Sequence, residues 1–81
     1  MNDIISVLRK SNPTIEELLA CFELIRKDGN VVVIKMDGAR ADSQYTVFVT
    51  FSEGEREMIR FDGDNFKGTL LEVLRAYHVE K

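Results

Sequence analysis

Apolar residues recur at helical spacing in two long stretches of the chain. In the first stretch, Thr14 and Glu17 have the spacing of a capping box and precede an apolar stripe that ends before Gly29. The stripe contains Ile15, Leu18, Leu19, Phe22 and Ile25. These positions lie on one side of a helix, so the pattern predicts a helix over about residues 14–28.

The second stretch lies near the C-terminus. Its apolar positions are Phe66, Leu70, Val73, Leu74 and Tyr77. Either Asp64 or Asn65 is suited to cap the first turn. The pattern predicts a helix over about residues 65–78, and a second capping-box pattern leaves open a later start near Gly68.

A shorter apolar cluster lies at the beginning of the chain. Its members are Ile4, Ile5, Val7 and Leu8. Asn2 and Asp3 precede the cluster, and both are residues that cap helices. Pro13 ends the segment, because a residue before proline avoids helical geometry. We expect at most two turns of helix here.

Three segments between the long helices have the alternation of β-strands, and they span residues 30–37, 44–51 and 56–61. Neighbouring residues of a strand point to opposite faces of a sheet. One set of alternate positions is strongly apolar: Val32, Ile34, Met36, Tyr45, Val47, Val49, Phe51, Ile59 and Phe61. We expect this set to face the helices. A polar connection at residues 38–43 and a short turn at residues 52–55 join the strands.

The predicted order of elements is short α, α, β, β, β, α. Two helices with one apolar stripe each and a sheet with one apolar face bury those surfaces against each other. We therefore predict an α+β fold, a two-layer sandwich in which a three-stranded antiparallel meander carries the two main helices on one face. A chain of 81 residues supports one such core, so residues 1–81 are predicted to form a single domain.

The other side of the sheet, here called the outer face, is the candidate binding surface. Alternation places on it Val31, Val33, Lys35, Thr46, Phe48, Thr50, Arg56, Met58 and Arg60. Polar residues usually dominate a sheet face that meets water, but this face has an apolar centre and a rim of cations. Such a patch is typical of an interaction site. The predicted partner-binding residues are Val31, Val33, Lys35, Phe48, Arg56, Met58 and Arg60.

The simplest alternative is that the outer face is ordinary core. In that interpretation the N-terminal segment, with Ile4, Ile5 and Leu8, folds over the sheet and covers the apolar patch.

A further alternative is weak nucleic-acid binding by the same face. Lys35, Arg56 and Arg60 would contact phosphate, and Phe48 would stack on a base. The order of elements is similar to that of double-stranded-RNA-binding domains, whose last helix begins with a lysine-rich stretch. The matching stretch here has the single Lys67, so we infer no function from the likeness. The formal net charge of −3 also lowers this expectation, because nucleic-acid binding needs clustered cations.

Composition narrows the class of protein. Hydrophobic residues make up 44% and charged residues 31% of the chain, which is typical of a globular protein and not of a disordered one. No apolar run approaches the roughly 20 residues of a membrane span. Cys21 is the single cysteine and has no partner for an internal disulfide, which favours the reducing cytoplasm.

Residues with catalytic or metal-binding chemistry are few. His78 lies near the end of the last helix, where the helix dipole favours an exposed cation. Cys21 lies between apolar helix positions, as a small buried side chain does. Asp62 and Asp64 resemble the start of a calcium-binding loop, but the twelfth position holds Val73 and not a glutamate. We therefore expect no catalytic residue, no metal site and no cofactor.

These observations predict a small, soluble, cytoplasmic protein that is not an enzyme and acts by binding. The expected occupant of the outer face, or of an edge of the sheet, is a protein partner or a second copy of the chain. A protein of this kind would be a homodimer or an accessory or inhibitor-type protein, without a membrane partner.

Overall fold

A computed structural model describes residues 3–52 and 56–79. The helices and strands are α1 (Ile4–Leu8), α2 (Ile15–Lys27), β1 (Val31–Met36), β2 (Tyr45–Thr50), β3 (Ile59–Gly63) and α3 (Phe66–Val79). Asn2 and residues 53–55 of the predicted turn lie outside the described residues. The order short α, α, β, β, β, α is the predicted one.

Local hydrogen bonds fix the ends of the first two helices. The Asp3 carboxylate accepts from the Ser6 amide at 2.8 Å and caps α1. The predicted capping box of α2 is confirmed, because the Thr14 hydroxyl accepts from the Glu17 amide at 3.1 Å and the Glu17 carboxylate accepts from the Thr14 amide at 2.8 Å. Gly29, at φ 91°, takes the left-handed conformation that lets the chain leave the helix.

Asn65 fixes the start of α3. Its side-chain oxygen accepts from the Gly68 amide at 2.7 Å, and its backbone carbonyl accepts from the Thr69 amide at 2.9 Å. The alternative start near Gly68 is therefore wrong. The first turn of α3 also lies tightly against β3, since a Cβ atom at Gly63 would be 2.4 Å from Thr69 Oγ1.

The three strands form one antiparallel sheet in the order β1-β2-β3. Val49 of β2 lies between Val32 of β1 and Ile59 of β3, and Val47 lies beside Phe61 in the next row on the same face. α3 packs on β2 and β3, and α2 packs on β1. The fold is thus the predicted α+β two-layer sandwich.

The core lies between the helices and this face of the sheet. Its buried residues are Val7, Leu18, Cys21, Phe22, Ile25, Val47, Val49, Ile59, Leu70, Val73, Leu74 and Tyr77. α1 contributes Val7, and Ile4 and Leu8 of α1 also pack against this cluster. α1 contacts α2 and α3, so it belongs to the helical layer. The alternative in which the N-terminal segment covers the outer face is therefore wrong.

The third strand starts later than the alternation predicts. It begins at Ile59 and not at Arg56, and it continues to Gly63. The shift arises because Asp62 and Gly63 pair with Thr46 and Tyr45 of β2, so the strand extends through a segment whose residues are typical of a turn.

Three positions that were expected in the core are partly exposed. Ile15 and Leu19 of α2 are 39% and 37% exposed, while Cys21 is buried in their place. Met36 is 64% exposed because it ends the outermost strand, opposite a half-buried Tyr45. The apolar stripe of α2 is thus wider than the surface that the core covers.

Candidate functional site

The outer face is built around Phe48 on the central strand. Phe48 pairs with Val33 of β1 on one side and with Arg60 of β3 on the other, and Val31 pairs with Thr50 in the adjacent row. Side chains at these positions point away from the row of Val32, Val49 and Ile59, because neighbouring residues of a strand alternate. The register therefore confirms the predicted alternation in β1, in β2 and over residues 59–61 of the third strand.

The apolar residues of this face are outside the core. Val31 is 56% exposed and Met58 is 51% exposed, whereas Val33 and Phe48 are half-buried. None of these four side chains is among those that pack against the buried cluster. In the described part of the chain, all three helices belong to the opposite layer. The apolar centre of the predicted site is thus a surface patch.

Arg56 is not part of this face. Its guanidinium donates to the carbonyls of Tyr77 at 3.3 Å and Ala76 at 3.5 Å, near the end of α3. The same group lies 4.5 Å from the ring centroid of Phe51 and 5.2 Å from that of Tyr77, which are favourable cation–π distances. The prediction of an outward Arg56 is wrong, because these carbonyls and rings draw the side chain to the helical side before β3 begins.

The remaining cations of the predicted site lie beside carboxylates. Lys35 Nζ is 3.6 Å from Asp37 Oδ2, and Arg60 Nε is 3.5 Å from Asp62 Oδ2. All four side chains are partly exposed, so each pair contributes little to stability. The row of Lys35 and Asp62, with the neighbouring Asp37 and Arg60, is here called the charged end of the outer face. The ion pairs make this end mixed in charge, whereas the sequence predicted a basic rim.

Arg40 is a residue of this charged end that the sequence analysis missed. Its Nη1 atom lies 3.4 Å from both Asp62 Oδ1 and Thr46 Oγ1. Arg40 belongs to the polar connection between β1 and β2, where no periodicity indicates direction. The one local feature that the sequence offers here is a turn at Asp37, whose carboxylate accepts from the Ala39 amide at 3.0 Å. This turn indicates where the connection bends, but not where the Arg40 side chain points.

Asp62 is the centre of this charged end. The Thr46 hydroxyl donates to its carboxylate at 2.5 Å and holds the pKa of Asp62 below its usual value. Arg60 and Arg40 lower that pKa further, against the opposing effect of desolvation. Asp62 is thus a fixed anion that orients its three neighbours.

Cys21 and His78, which the sequence analysis considered for chemistry, lie elsewhere. Cys21 is buried in the core, and desolvation raises the pKa of its thiol, with a further increase from the carboxylates of Asp3 and Glu17. His78 is exposed in the last turn of α3. Neither residue adjoins the outer face.

A second surface feature lies between α2 and the sheet edge. This α2–β1 groove has a volume of about 590 Å³, and its apolar lining includes Leu19, Ala20, Val32 and Ile34. Glu16, Glu23 and Arg26 line it from the α2 side. The apolar stripe of α2 is wider than the core covers, and its exposed member Leu19 is the feature of the sequence that indicates this groove. A separate cavity of about 440 Å³ lies among the three helices and includes Leu24 and His78 in its lining.

The described residues contain no group of three or more His, Cys, Asp and Glu side chains arranged to hold a metal ion. Among the helices described, none has the length and apolar character needed to cross a bilayer. Comparisons of the chain with protein-family models, curated proteins and solved structures give no match.

Proposed function

We propose that the protein is a non-catalytic protein-binding module whose docking surface is the outer face of its sheet. The observation that supports this most directly is the apolar centre on the face that carries no described helix. Phe48 and Val33 lie side by side there, with the more exposed Val31 in the next row and the exposed Met58 directly before β3. Apolar patches of this kind, with polar surroundings, are typical of protein interfaces.

The chemistry of the face suits a protein occupant with an apolar surface of its own. Burial of apolar area contributes about 25 cal/mol per Å², and an aromatic side chain at the centre of a patch is a common anchor of binding energy. Lys35 and Asp62 lie in the row at one end of the patch, and Arg60 lies beside Phe48 on the β3 side. Fixed charges of both signs at one end favour one orientation of the occupant over the reverse.

The same charges favour protein over nucleic acid as the occupant. A phosphate approaching Lys35 or Arg60 would also approach Asp37 or Asp62. Arg56, the third cation on which nucleic-acid binding would depend, turns to the end of α3. Because binding to a polyanion depends on clustered cations, we favour a protein occupant.

The proposal includes a reducing compartment, namely the cytoplasm. It rests on the composition, in which Cys21 is the single cysteine, and on the burial of that thiol among apolar side chains.

Photo-crosslinking in cells tests the proposal without knowledge of the occupant. A benzophenone-bearing phenylalanine replaces Phe48 on the outer face, and the same residue replaces Ile5 in a matched control. Ile5 is an apolar, 41% exposed side chain of α1, in the opposite layer. After irradiation, adducts are analysed by mass before and after nuclease treatment.

We expect a protein adduct at position 48 that the position 5 control does not form. An adduct with another protein indicates an accessory role, and an adduct with a second copy indicates a homodimer through the outer face. A nuclease-sensitive adduct would instead establish the nucleic-acid alternative. Equal labelling at both positions, or none at position 48, would refute the outer face as the docking surface.

A further inference from the structure

Among the described residues, β1 has a neighbouring strand on one side only, so its other edge is open to pairing. The amide of Asp37 donates to the carbonyl of Gln44 at 2.8 Å, which continues the β1–β2 ladder. Hydrogen-bonded and non-hydrogen-bonded pairs alternate along an antiparallel ladder. The backbone groups of Val32, Ile34 and Met36 therefore point away from β2, towards an edge where the described residues place no further strand.

The two edges of the sheet differ in how they resist pairing. By the same alternation, the outward backbone groups of β3 belong to Arg60 and Asp62, and β3 has only 5 residues. Short length and charge are common protections of an edge strand. β1 has 6 residues, and those with outward backbone groups, Val32, Ile34 and Met36, are all apolar. β1 is therefore the edge suited to pairing.

Apolar surface continues from this edge onto α2. Val32 and Ile34 line one side of the α2–β1 groove, and Leu19 and Ala20 line the other. Leu19 is 37% exposed although it belongs to the stripe that packs the helix. A strand added to β1 would bring its own layer of side chains over this groove. Strand pairing and groove filling would thus occur together.

We propose that the protein forms a homodimer in which β1 of one copy pairs antiparallel with β1 of a second copy, with the two α2–β1 grooves closing against each other. A two-fold axis at Ile34 places Ile34 opposite its counterpart and Val32 opposite Met36 of the other copy. In this register the outward backbone groups of Val32, Ile34 and Met36 in each copy all have a hydrogen-bonding partner in β1 of the other copy. The register also places Lys35 opposite Val33 of the other copy, so the two lysines do not face each other directly.

The charges along α2 support a second copy as the occupant. Glu16 lies near the start of the groove-lining side of α2, and Arg26, whose guanidinium also donates to Glu23 at 2.8 Å, lies near its end. A two-fold axis makes the two α2 helices antiparallel, so the Glu16 end of one copy approaches the Arg26 end of the other. An isologous interface needs this self-complementarity, and the groove-lining side of one helix supplies both charges.

The area of the sheet gives a second argument for this occupant, which rests on the proposed function of the outer face. Three strands of about 6 residues have an outline of roughly 300 Å², whereas a standard interface covers about 800 Å² per partner. Pairing through β1 joins two outer faces into one six-stranded surface. The area available to a partner then doubles and comes closer to that of a standard interface. The pairing uses the edge and the groove, so it stands even if the outer face binds nothing.

The mass in solution as a function of concentration tests the proposal, by analytical ultracentrifugation from about 1 µM to about 1 mM protein, a range that includes the weak affinities of small interfaces. We expect the mass to rise towards twice the 9.3 kDa of one chain. Leu19→Glu should weaken dimerisation at least about 30-fold, as truncation of a buried anchor does. Leu24→Glu is the matched control, because Leu24 is 36% exposed on α2 but lines the cavity among the helices and not the groove.

Amide hydrogen exchange of the unmodified protein provides a second measurement that needs no variant. The amides of Val32, Ile34 and Met36 should exchange more slowly as protein concentration rises. Those of Val33 and Lys35, which point to β2, should respond far less to concentration.

Three results would overturn the proposal: a monomer at about 1 mM, equal effects of Leu19→Glu and Leu24→Glu, or concentration-independent exchange at Ile34. If Leu19→Glu unfolds the chain, the exchange measurement decides. Phe48→Asp separates this proposal from the proposed function, since it alters the outer face alone. A dimer that Phe48→Asp abolishes and Leu19→Glu spares would assign self-association to the outer face and refute the β1 pairing.

Discussion

Phe48→Ala and Val47→Ala, compared side by side, test the two-sided character of β2. The two residues are neighbours in the same central strand, but Val47 is fully buried in the core whereas Phe48 is half-buried on the outer face. Phenylalanine loses far more apolar surface than valine on replacement by alanine. If both side chains lay in the core, Phe48→Ala would therefore be the more damaging change.

The structure predicts the opposite order. Val47→Ala removes two methyl groups from the core, at about 0.8 kcal/mol each plus a cavity contribution, so we expect a loss of about 2 kcal/mol. Phe48→Ala removes contacts across the strands with Val33 and Arg60. Such pairs contribute about 0.2–1 kcal/mol each, and we expect a total loss of about 1 kcal/mol. A buried phenylalanine would cost about 3–5 kcal/mol instead.

Urea unfolding followed by far-ultraviolet circular dichroism measures both changes. Low protein concentration is needed, because dimerisation would add a concentration-dependent contribution to the free energy of unfolding. In thermal melts, a loss of 1 kcal/mol corresponds to about 4–8 °C for a domain of this size. A loss of 3 kcal/mol or more for Phe48→Ala would place its ring in the core and remove the proposed docking surface.

Three further experiments test other parts of the structure. Gly63→Ala should cost about 1–3 kcal/mol through overpacking, since its Cβ would lie 2.4 Å from Thr69 Oγ1; the loss should shrink in a Thr69→Ala background, and an unchanged loss would point to the backbone instead. The Asp62 carboxylate has a lowered pKa in the folded protein, so its stabilisation is present above the unfolded pKa of about 3.9 and is lost as pH falls through the folded value. Asp62→Asn should therefore make the urea midpoint less dependent on pH below about 4, and an unchanged pH profile would contradict the role of Asp62. The Cys21 thiol should react with a disulfide reagent much more slowly in the folded protein than in urea, because it is buried and its pKa is raised; equal rates would show that the site opens readily.

The alternation of β2 was predictable from sequence because one central strand carries both sets of side chains at a strict period of two. Val47 and Val49 on one side and Phe48 on the other needed no tertiary information. The capping box at Thr14 was equally local, since its two hydrogen bonds join residues three positions apart. Features of this kind are decided within a few residues of chain.

Arg56 shows where such reasoning stops. The direction of its side chain depends on carbonyls of α3 that lie 20 and 21 positions away in the sequence. The alternation of residues within one strand contains no information about groups that lie so far away in the sequence. The same limit applies to Arg40, which reaches Asp62 across 22 positions. Long-range electrostatic contacts overrode the strand pattern in one case and assembled the charged end of the outer face in the other.

The stripe of α2 shows a different limit. Leu18 and Leu19 are both apolar members of it, yet Leu18 is fully buried and Leu19 is 37% exposed. A helix packed over the outermost strand buries a narrower part of its surface than one over the middle of a sheet. Periodicity locates the stripe, but the flank that stays open depends on the position of the helix over the sheet.

The proposed homodimer and the proposed docking surface reinforce each other through the register at Ile34. In that register Val33 of one copy lies beside Lys35 of the other on the outer face, so the row that contains Phe48 continues into the charged row of the second copy. The two apolar centres then lie diagonally about the two-fold axis, separated by lysine side chains whose apolar stems extend the patch. Phe48 therefore belongs to a larger surface in the dimer than in one chain. A partner bound there would contact both copies, and its affinity would fall when Leu19→Glu separates them although no residue of the outer face has changed.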